Sequence, residues 1–396
     1  MLWQDLEHKR VAIWGMGREG LAVKQALQKH VPNATLLEIT EYNVTDIFGA
    51  DVLVKSPGVS LYRPEIIKAK EQGIVVTSGT NLFMSNKNPK AKVIAITGTK
   101  GKSTTSSLMA HTLKNYGFKV CLGGNIGVPL LDFVDDEADY VVAELSSYQC
   151  ADFRGTLDIS VLLNLYPEHL QWHGSHEQYY ADKKHMWGQG RWQLDNRANE
   201  IKIENDCFVD ADQQLFPISS LNLRGIHNAQ NACAVLAVLK HLGLDLMKAE
   251  QAFQSFEGLA HRLQIVAELD GVIYVDDSIS TTPETAICAM ESFKGKPITL
   301  LVGGFDRGQD YTELNKYIKE HDVQAIALPT TGDRIDTPYH VTTIKEAVMV
   351  AKWLTTEGGC VILSPAAPSY NMYKNFEARG DDYIREIQKP LESENK

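Results

Sequence analysis

Short apolar runs alternate with longer segments of helical periodicity through much of the chain. Such alternation is typical of α/β folds, in which strands of a parallel sheet are joined by crossover helices. The pattern divides the sequence into three predicted domains, 1–88, 89–257 and 258–396, with a polar linker at 86–90 between the first two. Residues 189–222 are polar and show no clear period, so the pattern predicts no structure for them.

The second predicted domain begins with an apolar run, a glycine-rich turn and a segment that can be helical. Val93–Ile96 predicts a buried strand, Gly98 and Gly101 stand in the turn, and the helix is expected over 104–116. This order suits a phosphate-binding loop, because glycines let backbone N–H groups close around phosphate oxygens. Ile96 stands where the usual motif has its first glycine. The alternative, an ordinary turn with a surface lysine, does not account for the flanking strand and helix.

Residues near this loop have the chemistry of an ATP site. Lys102 would reach the terminal phosphates, and Ser103 would ligate Mg2+ together with Glu144, which ends the next strand-like unit. His169 is a candidate second metal ligand in a stretch that holds two more histidines, although a lone histidine or strand-end glutamate is often structural. The loop residues expected to contact ATP are Gly98, Thr99, Lys100, Gly101, Lys102, Ser103 and Thr104.

Later in the chain, four residues are candidates for nucleotide contacts. Asn228 and Asn231 are three apart on a predicted helix, so their amides share one face and can bind an adenine edge. A helix-capping role for Asn228 is an equally open interpretation. Arg262 follows a glycine-containing turn and can reach phosphates across a domain boundary, and Asp277 ends a predicted strand, where it can bind ribose or a phosphate-bound metal.

The first predicted domain contains a Gly-x-Gly-x-x-Gly turn between a strand and a helix. By pattern this is a dinucleotide-binding fingerprint, which alone is weak evidence for NAD. A second tight turn, Ser56-Pro-Gly58, falls at another strand end, where open α/β sheets bind ligands. The residues expected to line a ligand in this domain are Gly15, Gly17, Gly20, Glu38, Ser56 and Gly58.

Composition narrows the protein class. With 44% hydrophobic and 22% charged residues, the chain has the composition of a soluble globular enzyme. Its net charge of −11 argues against a general nucleic-acid or anionic-membrane binder. No apolar run reaches the roughly 18 residues of a transmembrane helix, and no signal peptide is recognisable. The six cysteines form no Cys-x-x-Cys pair, which favours free thiols in a reducing cytoplasm.

Taken in chain order, these motifs resemble the Mur ligase family, and within it the branch that adds glutamate. The resemblance covers nearly the whole chain. Its markers are Thr97-Gly-Thr-Lys-Gly-Lys-Ser-Thr, Gly124-Asn-Ile-Gly, Glu144-Leu-Ser-Ser-Tyr-Gln, Glu168-His169, His227-Asn-Ala-Gln-Asn231, His261-Arg262, Asp277-Ser278, Ser364-Pro-Ala-Ala-Pro-Ser and Lys374-Asn-Phe-Glu-Ala-Arg-Gly.

The resemblance implies a three-domain α/β fold: a Rossmann-like UDP-substrate domain, a central P-loop ATPase domain with a parallel sheet, and a C-terminal Rossmann-like domain that binds the amino acid. It implies ATP-dependent ligation of glutamate to UDP-N-acetylmuramoyl-L-alanine through an acyl phosphate, in peptidoglycan synthesis. The first glycine turn would then hold a UDP diphosphate, so NAD is not implied. The catalytic residues it implies are Lys102, Asn125, Glu144, His169 and Lys183.

The implied cofactors are ATP, two Mg2+ ions and a carbamylated lysine. Ser103 and Glu144 match the ligands of one ion, and His169 matches a ligand of the second. Lys183 lies 14 residues after His169, the family's usual offset for the carbamylated lysine that assists the second ion. Asn125 matches a residue near the reacting carboxyl group of the UDP substrate.

The glutamate pocket carries the departures from the family pattern. Thr281, Ser369 and Phe376 match pocket positions, whereas Arg307 replaces the usual lysine and Ile279 replaces a lysine of the Asp-Ser-Lys motif. These changes resemble the branch that adds L-glutamate, so L-glutamate is favoured over D-glutamate. A separate epimerase is then an expected functional partner, and we expect a cytoplasmic monomer that binds neither nucleic acid nor membrane.

Three rival functions remain open on sequence alone. A folylpolyglutamate synthase-type ligase shares the ATP core and also adds glutamate, but the Asn-Phe-Glu-Ala-Arg-Gly segment and the first domain argue against it. A NAD-binding regulator or dehydrogenase would use Gly15, Gly17 and Gly20 but would leave the phosphate loop unexplained. A non-catalytic scaffold would bind nucleotide without turnover.

Overall fold

The computed structural model describes residues 1–166 and 170–389. Strands and helices alternate in this part of the chain, and the larger sheets are wholly or mainly parallel, so the predicted α/β class is confirmed. None of the described helices is long and apolar enough to cross a membrane. The strands are β1 Arg10–Trp14, β2 Thr35–Ile39, β3 Val52–Lys55, β4 Val75–Ser78, β5 Lys92–Thr97, β6 Val120–Gly124, β7 Tyr140–Glu144, β8 Leu157–Leu162, β9 Gly190–Asp195, β10 Ile201–Glu204, β11 Cys207–Asp210, β12 Gln213–Pro217, β13 Gln264–Leu269, β14 Val272–Asp276, β15 Ile298–Val302, β16 Gln324–Ala327, β17 Tyr339–His340 and β18 Cys360–Leu363. The α-helices are α1 Arg18–His30, α2 Pro64–Glu71, α3 Gly79–Asn86, α4 Lys102–Asn115, α5 Ser147–Ala151, α6 Leu170–His173, α7 His176–Trp187, α8 Ile226–His241, α9 Ala249–Gln254, α10 Pro283–Glu291, α11 Thr312–Glu320, α12 Ile344–Leu354 and α13 Phe376–Gln388.

The chain forms two compact units. Unit 1 holds residues 1–222 and 226–256, and unit 2 begins at 257 and also takes in the short segment 223–225. One buried apolar cluster in unit 1 joins side chains of both sheets, among them Val11 and Val93. Burial of that shared surface explains why the first two predicted domains pack as one unit. The boundary predicted between them stays a prediction.

The first sheet of unit 1 has the order β2-β1-β3-β4, and all its strands are parallel. The side chains of β3 are buried throughout, as expected for a strand covered on both faces. The chain order reverses at β1, because β2 lies on one side of it and β3 on the other. Open α/β sheets bind ligands at such a reversal, beyond the carboxyl ends of the strands. The glycine turn 15–20 follows β1 at this point.

The second sheet of unit 1 has the order β6-β7-β5-β8-β9 and is also entirely parallel. Its central strand β5 is buried from Val93 to Thr97, as the apolar run predicts. The chain order reverses at β5, which places the phosphate loop 98–101 at the corresponding ligand-binding position. The loop leads directly into α4, two residues earlier than the sequence predicts.

Residues 189–222, for which the sequence predicts no structure, contain β9 and a small antiparallel sheet of β10, β11 and β12. The β10–β11 hairpin turns at Asn205 and Asp206, whose φ angles of 49° and 58° are both left-handed. Two positive φ angles are what a two-residue type I′ turn requires, and Asn and Asp tolerate them. This residue pair was the available sequence signal for the hairpin.

Unit 2 is built on a six-stranded sheet of order β13-β14-β18-β15-β16-β17, in which only β13 is antiparallel to its neighbour. Buried apolar side chains pack on both faces of this sheet. The neighbouring strands β14, β18 and β15 are parallel, so the loops that follow them emerge at one edge. Those loops begin at 277, 364 and 303 and carry most of the predicted C-terminal site residues.

Candidate active site

The phosphate loop needs glycine for steric reasons at both Gly98 and Gly101. Gly101 has φ 84°, a left-handed conformation, and caps the start of α4. A Cβ added there would collide with the Asn231 side-chain amide. A Cβ on Gly98 would lie 2.9 Å from Leu163 Cβ, closer than van der Waals contact allows. Ile96, where the standard motif has glycine, is a buried residue of β5 and leaves the loop itself unaltered.

Asn164, which lies just after β8, binds the phosphate loop. It is not among the site residues predicted from the sequence. Its Oδ1 accepts from the Lys100 backbone N–H at 2.8 Å, and its Nδ2 donates to the Lys100 carbonyl at 3.0 Å. The Thr99 backbone N–H also donates to the Asn164 carbonyl at 3.0 Å. These bonds fix the loop against the end of β8, because they satisfy both backbone groups of Lys100.

Lys102 and Lys183 converge on one carbonyl oxygen of the loop. Nζ of Lys102 donates to the Gly98 carbonyl at 3.1 Å and to the Thr99 carbonyl at 2.9 Å. Nζ of Lys183, on α7, donates to the same Gly98 carbonyl at 2.8 Å, and the Lys183 side chain is buried. Two ammonium groups at one oxygen repel each other, so this point favours a bound anion or the neutralisation of one lysine.

Glu144 has an environment that suits a cation ligand. Its side chain is 1% exposed, at the end of β7, and β7 pairs with β5 so that Glu144 lies opposite Ile96. Oε1 accepts from Asn125 Nδ2 at 2.7 Å, whereas Oε2 is buried with no hydrogen-bond partner among the described residues. A buried carboxylate oxygen without a partner is costly, and a divalent cation would satisfy it. Ser103 has its hydroxyl in the first turn of α4, the helix that follows the neighbouring strand β5.

The predicted metal ligand His169 lies outside the described residues. Of the two other histidines in that stretch, His173 is buried and bonded through both ring nitrogens. Nδ1 is 2.6 Å from Asp182 Oδ2, and Nε2 is 2.9 Å from Ser147 Oγ. Asp182 and Ser147 were not predicted from the sequence, because nothing in the local pattern marks them.

The first glycine turn is closed by a serine. Gly15 has φ 94°, and Ser56 Oγ donates to its carbonyl at 2.5 Å. A Cβ on Gly20 would collide with the same Gly15 carbonyl, so close packing of α1 on the turn requires glycine there. Gly17 caps α1 with open space around it. Glu38 lies within β2, not after it, and forms a 2.6 Å ion pair with Lys24.

Asn228 and Asn231 both lie in α8, as predicted, and both are buried. Asn231 is the residue whose amide stands against Gly101, so the helix face they share meets the phosphate loop. Burial lowers the pKa of the neighbouring His227, which favours a neutral ring at pH 7. The predicted adenine contact of these amides stays a prediction.

In unit 2, Asp277 directly follows β14 and is buried among hydrogen-bond donors. Ser364 Oγ donates to it at 2.8 Å and the Leu263 backbone N–H at 3.1 Å, and Ser280 Oγ is a third donor. Burial nevertheless raises the pKa of Asp277 to about 6. Arg262 is close enough to oppose that rise electrostatically.

The predicted glutamate residues lie at the same edge of the unit 2 sheet. Thr281, Arg307 and Ser369 follow β14, β15 and β18 respectively, and Phe376 begins α13. The loops after β15 and β18 are joined by the Phe305 N–H, which donates to the Pro368 carbonyl at 2.7 Å. Ser369 is buried and Arg307 is exposed.

Arg379, in the Asn-Phe-Glu-Ala-Arg-Gly segment, ties these loops together and was not predicted as a site residue. Its guanidinium donates to the Ser278 carbonyl at 2.7 Å, to Ser278 Oγ at 3.0 Å and to the Ala367 carbonyl at 3.1 Å. Burial lowers the pKa of Arg379 to about 10, which leaves it charged at pH 7. Ser278 Oγ in turn donates to the Phe376 carbonyl at 2.8 Å.

Comparison with known proteins gives consistent matches. A family model described as the Mur ligase middle domain matches residues 96–191. A protein from Micromonospora sp. named UDP-N-acetylmuramoyl-L-alanine--L-glutamate ligase is 34% identical over 98% of this chain and 98% of its own length. A protein of the same name from Salinispora tropica is 35% identical over 98% of this chain and 99% of its own.

Solved structures with the same fold include two proteins from Thermotoga maritima. UDP-N-acetylmuramate-alanine ligase MurC has a TM-score of 0.61 at 18% identity, over 96% of this chain and 99% of that one. MurF ligase in complex with ADP has a TM-score of 0.58 at 15% identity, over 97% of this chain and 95% of that one. At such identities the likeness shows the fold, and the predicted three-domain α/β architecture is confirmed at that level.

Proposed function

The chain belongs to the Mur ligase family, and from this membership we propose that it joins glutamate to UDP-N-acetylmuramoyl-L-alanine at the expense of ATP. The observation that carries the proposal is the phosphate loop with Lys102, Lys183 and Glu144 around it, in a chain that matches glutamate ligases over nearly its full length. The product would be a peptidoglycan precursor.

The proposed reaction begins when the alanyl carboxylate of the UDP substrate attacks the γ-phosphate of ATP. An acyl phosphate and ADP form, the amino group of glutamate then attacks the acyl carbon, and phosphate leaves. Two anions must approach each other in the first step, so positive charge at the phosphate loop lowers its barrier. Lys102 supplies that charge through an ammonium group already directed at the loop.

The residues at the loop fit a Mg2+ ion. Glu144 Oε2 and the Ser103 hydroxyl would hold it, and the ion would neutralise phosphate charge when bound. Asn125 donates to Glu144 Oε1 and so orients the carboxylate toward the loop. By family resemblance a second Mg2+ would be held by His169 and by a carbamate on Lys183.

Two features support carbamylation of Lys183. The side chain is 1% exposed, and its ammonium group shares the Gly98 carbonyl with Lys102. A carbamate replaces the buried cation with an anion, so repulsion between the lysines becomes attraction. If this is correct, Lys183→Ala loses most turnover and short carboxylates such as formate partly restore it. Lys184→Ala, on the same helix but exposed, is the matched control.

The other ligands are proposed to bind at the remaining sequence-predicted positions. The UDP diphosphate would lie on the turns that hold Gly15, Gly17, Gly20, Ser56 and Gly58, with Glu38 near the ribose or base. Adenine would meet Asn228 and Asn231, and the roles of Arg262 and Asp277 in nucleotide binding rest on family resemblance. The loops tied by Arg379 would form the glutamate pocket.

L-glutamate is the proposed substrate enantiomer. The names of the relatives specify L-glutamate, and Arg307 brings a forked guanidinium where the ordinary pattern has a lysine. A planar fork binds a carboxylate in a different geometry from a point-charge ammonium. A separate epimerase would then invert the residue later.

A cytoplasmic location is consistent with six free cysteines, and we propose a monomer.

The decisive experiment is phosphate release with ATP, Mg2+ and UDP-N-acetylmuramoyl-L-alanine, run in parallel with L-glutamate and D-glutamate. Turnover with L-glutamate alone supports the proposal, and turnover with D-glutamate alone replaces its enantiomer. Omission of the UDP substrate is the control that separates this activity from a folylpolyglutamate synthase-type ligase. If neither enantiomer gives phosphate release at nucleotide concentrations that bind, the chain is a non-catalytic scaffold and the proposed function is refuted.

A further inference from the structure

A buried carboxylate next to Lys183 is bonded to the first predicted domain. Asp182 is 4% exposed and accepts from the Tyr62 hydroxyl at 2.7 and 2.9 Å to its two oxygens. Burial, followed by the bond to Asp182, raises the pKa of Tyr62, so its hydroxyl stays protonated and donates. Gln178 Nε2 also donates to Asp182 at 2.8 Å. Asp182 is therefore held from two directions immediately before Lys183.

His173 extends this hydrogen-bonded chain to the start of α5, the helix that follows Glu144. Its ring bridges Asp182 and Ser147, and Ser147 begins α5 three residues after Glu144. The order Ser–His–Asp resembles a hydrolytic triad, but Ser147 is 2% exposed and the His173 side chain is fully buried. No substrate carbonyl can reach such a serine, so nucleophilic catalysis is excluded and a positioning role remains.

Two more contacts join the same two regions. Ser60 Oγ donates to the Trp172 carbonyl at 3.0 Å, and the Tyr62 ring packs edge-on against Trp172 with centroids 5.7 Å apart. Ser60 and Tyr62 belong to the loop 56–63 after β3. That loop also carries Ser56 and Gly58, which we propose to bind the UDP diphosphate.

We propose that Tyr62, Asp182 and His173 form a positioning relay that couples the UDP-substrate loop to Lys183. This proposal rests on the proposed function, because the proposed function is what gives Lys183 its role at the phosphate loop. Neighbouring residues of a helix point about 100° apart, so fixing Asp182 toward Tyr62 fixes the rotation of α7 that directs Lys183 at Gly98. Binding of the UDP substrate would order loop 56–63, strengthen the Tyr62 bond and stabilise Lys183 in its working position.

Tyr62→Phe is the sharpest test, because it removes one hydroxyl from a partly exposed ring. Tyr42→Phe is the matched control, since Tyr42 is fully exposed in the same domain. The first readout is the carbamate on Lys183, measured by NMR with 13C-bicarbonate in the complete protein, with Lys183→Ala as the blank. We expect the signal of Tyr62→Phe to fall severalfold at fixed bicarbonate while that of Tyr42→Phe is unchanged.

The second readout separates positioning from general damage. We expect kcat of Tyr62→Phe to fall about tenfold with KM for ATP unchanged, because a small misplacement of a catalytic group lowers the rate without removing binding groups. Combined with Lys183→Ala under formate rescue, Tyr62→Phe should cost no more than about twofold, since its effect acts through Lys183. Asp182→Asn, which keeps the side-chain size, should reproduce the loss of carbamate.

The outcomes distinguish the relay from the proposed function. Equal carbamate signals and equal kcat in Tyr62→Phe and Tyr42→Phe overturn the relay and leave the ligase proposal intact. A wild-type protein without any Lys183 carbamate signal also overturns it, because the relay then has no modified lysine to position. Absence of ligase turnover refutes the proposed function, whereas the carbamate comparison still decides whether Tyr62 controls Lys183.

Discussion

Two glycine turns in unit 1 have the same backbone context but differ in the side chains that bond to them. Each follows the strand at which the chain order of a parallel sheet reverses, and each leads into a helix. The first turn is closed by a hydroxyl, because Ser56 Oγ donates to the Gly15 carbonyl. The second is surrounded by cations, because Lys102 and Lys183 both donate to the Gly98 carbonyl.

The difference between the two turns shows that the fold supplies a place for phosphate, whereas the side chains around the turn decide which chemistry is possible there. Backbone N–H groups and a helix N-terminus suffice to bind a diphosphate that does not react. Transfer of a phosphoryl group develops charge in the transition state. At the second turn two lysines donate to the Gly98 carbonyl, and the buried carboxylate of Glu144 ends the neighbouring strand. We therefore propose that the first turn binds a diphosphate and that the second turn takes part in the reaction.

The largest effect should come from removing the charge of the second turn. We expect Lys102→Ala to lower kcat by about a hundred- to a thousandfold or more, because the ammonium stabilises charge that develops in the transition state. The KM for the UDP substrate should change less than about twofold, since the first turn is untouched. Phosphate release measured against UDP-substrate concentration gives both values.

Lys114→Ala is the matched control for Lys102→Ala, because Lys114 is in the same helix α4 and its side chain is exposed. Lys114→Ala removes a positive charge from that helix without touching the phosphate loop. Normal ligation by Lys102→Ala would mean that the two turns do not differ in the way their electrostatics indicate.

An intermediate effect, on the free energy of unfolding, should show that the two turns differ in their steric need for glycine. Gly101→Ala places a Cβ at φ 84° against the Asn231 amide, and we expect it to reduce the free energy of unfolding by about 1–3 kcal/mol. ATP affinity should fall as well, because the loop must move to relieve the collision. Thermal or urea unfolding and nucleotide titration measure the two effects.

Gly17→Ala is the comparison at the first turn, because Gly17 has an ordinary negative φ and open space at its Cβ position. We expect its free energy of unfolding to change by no more than about 0.5 kcal/mol. Equal destabilisation by both substitutions would contradict the steric account of Gly101.

The sequence predicts the phosphate loop well because its determinants are local. The strand, the glycines and Lys102 all lie within residues 93–102, and the structure forms the strand, turn and helix there. Asn164 and Asp182 are different, since their partners at Lys100 and Tyr62 are 64 and 120 residues away in the chain. Neither residue type nor spacing marks such contacts before the sheets are assembled.

The antiparallel sheet in 201–217 escaped prediction for another reason. Its strands are only four or five residues long, so their apolar and polar positions do not alternate over enough length to indicate a strand. The type I′ turn at Asn205 and Asp206 was a real signal, but it lacked strong flanking runs.

The roles of the predicted site residues, unlike the fold, remain predictions because they depend on bound substrates.

The smallest effect should come from the hydroxyl that closes the first turn. Ser56→Ala leaves the Gly15 carbonyl without that donor, and we expect a loss of about 1 kcal/mol in UDP-substrate binding, or about a fivefold rise in KM. The kcat should be unchanged, because binding at a non-reacting diphosphate contributes equally to the ground and transition states. Ser292→Ala in unit 2, whose hydroxyl also bonds a backbone carbonyl, is the control for loss of a serine bond elsewhere. A fall in kcat without a rise in KM would place Ser56 in the reaction and remove the contrast between the two turns.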